Sequence, residues 1–80
     1  MAGIMTVGEA LAEVERLEAA VARCAADEAA KVRDLEEFEA GAAARLVDDP
    51  DAADRLTEES VRRRTAVDLA RRARETAENR

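Results

Sequence analysis

Valine returns every seventh residue near the start of the chain, at Val7, Val14 and Val21, and the same spacing continues through Glu28, Leu35 and Ala42. Ala10, Leu17, Cys24 and Phe38 lie three residues beyond members of that series, and Leu11, Ala25, Val32 and Leu46 lie four residues beyond. A seven-residue repeat of this kind gathers its apolar members on one stripe of a helix, which winds left-handed around a neighbour. Glu9, Arg16, Arg23, Asp27 and Asp34 fall on the other face. The pattern predicts a first helix over about residues 6–47. Thr6-Val7-Gly8-Glu9 marks its start as a capping box, in which the Thr6 hydroxyl accepts from a first-turn amide and Glu9 reaches back. Residues 1–5 carry no pattern and read as a disordered lead.

Two positions disturb this helix. Glu28 sits on the stripe with Lys31 beside it, and two readings stand: a polar break that specifies register or oligomer state, or a turn lying at an exposed bend. Gly41 lies inside the pattern and either weakens or kinks the helix, at about 1 kcal/mol relative to alanine, or ends it.

The strongest punctuation is Asp48-Asp49-Pro50-Asp51. Proline fits the first turn of a new helix, where its missing N–H costs nothing, and Asp49 before it is a good N-cap. A second helix is therefore expected over about residues 50–77, joined through a turn at 48–49. Its inner face reads Ala52, Leu56, Ala66, Val67, Ala70, Ala73 and Ala77, mostly small side chains that let two backbones approach. So short a connection makes the helices antiparallel neighbours, with residue i opposite about residue 98 − i. That register brings Glu36, Glu37 and Glu39 near Arg62, Arg63 and Arg64, Asp27 and Glu28 near Arg71 and Arg72, and Glu18 near Arg80. The expected fold is all-α, an antiparallel two-helix hairpin resembling a coiled coil, in one domain over residues 6–80.

Composition changes the picture in one respect. Of 80 residues 40% are charged, one is Phe, and none is Trp or Tyr. With alanine supplying much of the apolar content, a lone hairpin buries little against an ordering cost of about 1–2 kcal/mol per residue. The expected state is a homo-oligomer, two hairpins forming a four-helix arrangement. Helix 1 is the longer element, so about its first two turns project beyond helix 2. Val7, Leu11, Val14 and Val21 on helix 1, with Val61 and Leu69 outside the inner face of helix 2, are the candidate self-association contacts. Val61 and Leu69 also read as ordinary exposed aliphatics.

Charge is unevenly spread: residues 1–60 hold 16 acidic and 6 basic side chains, and residues 61–80 hold 7 arginines and 3 acids. An acidic body with a basic end points to self-complementation or a charged protein partner, and the net charge of −6 disfavours direct nucleic-acid binding. The chain holds no His, no glycine-rich phosphate loop and one cysteine, Cys24, on the helix 1 stripe among small apolar residues. Neither catalysis nor a cofactor or metal is expected. No run approaches the length that spans a bilayer, and a cytoplasmic location is expected. The acidic cluster Asp48, Asp49, Asp51 and Asp54 has two readings, favourable charge at the start of helix 2 or a hard-cation site; it lacks the central Gly and terminal Glu of a calcium loop.

The run Asp49-Pro50-Asp51-Ala52-Ala53-Asp54-Arg55-Leu56-Thr57-Glu58-Glu59, followed by an arginine-rich helix, resembles the coiled-coil tip of the DksA/TraR family. The family pattern of Asp, two residues, then Asp-Arg-Ala is matched by Asp51, Asp54 and Arg55, with Leu56 where alanine is typical. The family's four-cysteine zinc finger has no counterpart here. The resemblance implies a transcription regulator that inserts its tip into the secondary channel of bacterial RNA polymerase, with Asp48, Asp49, Asp51, Asp54 and Arg55 as partner-binding residues. The expectation from the residues themselves is a non-catalytic protein–protein interaction module, structural or adaptor in role, with the polymerase-binding regulator as its alternative.

Overall fold

The computed structural model describes residues 6–80, and the expected lead at 1–5 lies outside them. Helix α1 spans Val7–Asp48, a 3₁₀ turn follows at Pro50–Ala52, and helix α2 spans Ala53–Glu78. The two helices pack antiparallel into a rod of 68 × 17 × 12 Å. The chain is an all-α helical hairpin.

Helix α1 begins where the capping residue places it. Thr6 is extended at φ −71° and ψ 164°, and the Glu9 amide donates to its Oγ1 at 3.1 Å. That bond satisfies one of the amides a helix start leaves without a partner. Gly41 does not end the helix, which runs through it to Asp48. An added Cβ there would meet nothing within 4 Å, so the glycine answers no close approach of another element.

The reversal is tighter than expected. Asp49 alone separates α1 from the 3₁₀ turn, at φ −143° and ψ 85°. Its N–H donates to the Arg45 carbonyl at 2.8 Å, and its carbonyl accepts from the Ala52 amide at 3.1 Å. Asp49 was expected to cap helix 2 through its carboxylate, and no such side-chain bond forms. Its backbone makes the turn instead, and the α-helix proper starts three residues after Pro50. The short turn holds Ala52 against α1, where it is buried.

Four residues of the described chain are buried: Ala52, Leu56, Val67 and Ala70, all at or after the turn. Opposite them Leu17, Ala20, Val21, Cys24, Val32, Leu35, Phe38 and Ala42 are half-buried along α1. Ala73, expected on the inner face, is exposed. Counting sevens from Leu56 reaches Arg63, Ala70 and Ala77, so Arg63 takes a central place, while Ala73, seven residues after half-buried Ala66, borders an open groove with Leu17, Ala20 and Cys24. Phe38 fills the space across from Arg63, whose guanidinium lies 4.1 Å from the ring centroid. The only aromatic ring thus serves as a platform for a charge inside the seam.

Candidate interaction surfaces

Three parts of the rod carry chemistry beyond alanine packing: a polar layer in mid-seam, the acidic tip, and the projecting start of α1. The polar layer centres on Glu28. Its carboxylate accepts from Arg74 Nε at 2.5 Å and from Arg71 Nε at 3.4 Å, with 16% of the side chain exposed. Arg74 also donates to Glu78 at 2.5 Å. The exposed-bend reading of Glu28 is therefore set aside, since the residue faces α2. The Arg74 hydrogen bond holds the Glu28 carboxyl below its ordinary value of 4.5, against the opposing effect of partial desolvation. Glu28, then Glu78, holds the Arg74 guanidinium above its usual range. Lys31 turns to Asp27 at 2.5 Å and takes no part in the layer.

Further along the seam Arg63 donates to Asp34 at 3.2 Å and Arg64 to Glu39 at 2.9 Å. The expected acid–arginine match across the hairpin is present, with several partners exchanged. Glu36 and Glu37, expected to meet the Arg62–Arg64 run, are exposed on outer faces of α1. They sit one and two positions after Leu35, which turns them out of the seam. Asp34 and Glu39 flank the seam and take those arginines. Arg74, missed in the sequence reading of Glu28, lies one α-helical turn beyond Ala70. Glu18 and Arg80 border one shallow groove with Val14, Leu17, Val21 and Ala77.

At the tip Asp48, Asp49, Asp51, Asp54 and Arg55 are all exposed. Among the described residues no group of three or more carboxylates or thiols converges as a metal ion would require. Cys24 is free and half-buried, and it borders a groove with Leu17, Ala20, Ala73, Thr76 and Ala77.

At the opposite end α1 runs on past α2, which stops at Glu78. Val7, Leu11 and Val14 are 79%, 59% and 49% exposed. Val21, grouped with them from the sequence, is half-buried where the end of α2 crosses α1. The overhang thus begins below Val21, with Leu17 at its edge. Glu13 and Arg16 pair on its flank. Val61 and Leu69 lie on outward faces of α2 at 58% and 60% exposure.

The fold and these surfaces define an antiparallel two-helix hairpin with an acidic tip, a salt-bridged seam and an apolar overhang. Comparison with protein-family models, curated proteins and solved structures returns no match to this chain. Among the described residues no helix is long and apolar enough to cross a membrane.

Proposed function

We propose that the chain is a non-catalytic helical-hairpin module that works by protein–protein interaction, first of all with further copies of itself, as a structural or adaptor protein. One observation carries this reading. The apolar stripe that packs α1 against α2 continues past Glu78, where Val7 and Leu11 are 79% and 59% exposed and Val14 is partly covered in the groove it shares with Ala77 and Arg80. A helix with one apolar stripe is stable in water when that stripe is covered, and a contiguous uncovered stripe marks a contact site. The four buried residues of the hairpin point the same way, because so small a core gains from association. Sedimentation equilibrium on the full chain tests the reading. Reversible association at micromolar concentration is expected, and a stably folded monomer at every concentration would remove it.

A second reading draws on the tip. Its carboxylates are all exposed at the end of a slender rod, and the surrounding sequence resembles the DksA/TraR tip. On this reading the hairpin is a cytoplasmic transcription regulator whose tip enters bacterial RNA polymerase. Asp51→Asn combined with Asp54→Asn should then abolish an effect on transcription in a purified polymerase assay while leaving helicity unchanged. Equal behaviour of the variant and the original chain discards the reading.

A further inference from the structure

We infer that the outward face of α2 pairs with the same face of a second copy of this chain, the two α2 helices antiparallel about a two-fold axis at Thr65. The inference rests on the self-association reading above and names a surface and a register for it. Val61, Thr65 and Leu69 follow one another at one-turn spacing on the side of α2 turned away from α1, and all three are exposed. Thr65 Oγ1 donates to the Val61 carbonyl at 2.9 Å, and Thr76 Oγ1 to the Arg72 carbonyl at 2.8 Å. Covering this face therefore strands neither hydroxyl donor.

The order of side chains along α2 sets the register. In an antiparallel pair centred on Thr65, residue i of one copy lies level with residue 130 − i of the other. Val61 of each copy then meets Leu69 of the other, so the large aliphatics of this face cover one another. Glu58 comes level with Arg72, and Asp54 with Thr76, which sets Arg72 between two carboxylates of the second copy. Among the described residues Asp54, Glu58 and Arg72 take part in no ion pair. Glu75 also nears Asp54, with Arg72 one turn before it to separate the two. The surface is self-complementary, as two-fold symmetry demands.

Other arrangements of the same face lose these matches. A shift of seven residues sets Val61 against Thr76 or Arg62, and Leu69 against Asp68 or Asp54. Parallel pairing sets Glu58 beside Glu58 and Arg72 beside Arg72. Charge also selects α2 over α1 as the meeting helix. Helix α1 carries 11 acids and 5 basic residues, and α2 carries 6 acids and 7 arginines. A nearly neutral helix meets its own copy without the repulsion that α1 would feel. In the resulting row of four helices the acidic α1 helices lie outermost, and the α1 overhang takes no part. Two aliphatics from each copy make a small core, so the pairing is weak and concentration-dependent.

The test joins sedimentation with cross-linking of the full chain in a Cys24→Ala background. Thr65→Cys places a single thiol on the proposed two-fold axis, and Ala30→Cys places one on the exposed outer face of α1. A short bis-maleimide is expected to cross-link Thr65→Cys into dimers several-fold more efficiently than Ala30→Cys. Val61→Glu combined with Leu69→Glu should raise the dimer dissociation constant by at least about tenfold. Circular dichroism verifies that this acidic variant keeps its helices. Glu58→Arg and Arg72→Glu should each weaken the dimer several-fold, and the two together should recover most of the loss, because the charges are exchanged in both copies at once. Suppose instead that the unmodified chain associates but Thr65→Cys cross-links no better than Ala30→Cys, the acidic pair leaves association unchanged, or the double exchange recovers nothing. Any of these makes this surface and register wrong while self-association stands. An unmodified chain that remains monomeric into the millimolar range overturns both.

Discussion

Glu28 illustrates how one side chain turns an alanine-rich seam into a specific one. An apolar residue at this position would tolerate sliding of α2 along α1, because successive small residues on α2 look alike. A carboxylate bonded to Arg71 and Arg74 favours one alignment, since a slip by a turn keeps only one of the two arginines and sets Asp68 or Ala77 in the place of the other. The same contact makes stability depend on pH. A carboxyl held below its ordinary value favours the folded state fully above that value, and the contribution fades as pH falls through the lowered folded one. Thermal denaturation between about pH 5 and about pH 3 should show the original chain losing stability. Glu28→Gln, which cannot ionise, should show a shallower slope over that window and a lower melting temperature at neutral pH. Identical slopes would mean that the layer adds nothing to folding. Arg63 plays a related part, since its stack on Phe38 lets a charged residue occupy a central seam position.

Along the helices, the balance lies between a long α1 of ordinary local preference and a short α2 held mainly by where it packs. Gly41 sits inside α1 with open space around its Cα. Gly41→Ala should therefore stabilise the chain by about 0.5–1 kcal/mol, by removing backbone freedom from the unfolded state. Urea denaturation reads this directly, and a loss of stability would show that the glycine has a role the folded chain does not reveal. Leu56 is the opposite case. At 3% exposure it is the most buried residue described, and it anchors the first turn of α2 beside the reversal. Leu56→Ala is expected to cost about 2–5 kcal/mol, enough to unfold a hairpin of this size. If circular dichroism and urea denaturation found that variant as stable as the original, packing at the reversal would not be what holds α2 to α1.

As a whole the rod is slender, and its described residues form two α-helices with four buried side chains and no third layer. The interhelical ion pairs do not make up the difference, because exposed pairs contribute only about 0–1 kcal/mol each. On the proposed self-association, burial between copies would supply what the lone hairpin lacks, and it would leave a signature in melting experiments. A protein that folds as it associates melts at a temperature that rises with concentration. A rise of several degrees is expected between about 10 μM and about 1 mM. Melting curves that superimpose over this range would identify a hairpin that is stable on its own.

Periodicity and punctuation in the sequence were enough to determine two helices, their antiparallel order, the Thr6 cap and the break beside Pro50, because these follow from local spacing and from the chemistry of single residues. The exposure of Val7, Leu11 and Val14 also follows from counting, since α1 has more turns than α2 can cover. Tertiary structure decided the rest. It chose Arg74 as the main partner of Glu28, Asp34 for Arg63 and Glu39 for Arg64. It covered Val21 with the end of α2, left Ala73 exposed beside an open groove, and made the turn with the Asp49 backbone instead of its carboxylate. Those outcomes depend on the rotation of each helix about its own axis and on a register set by fractions of a turn. Small alanines leave both free until the two surfaces meet.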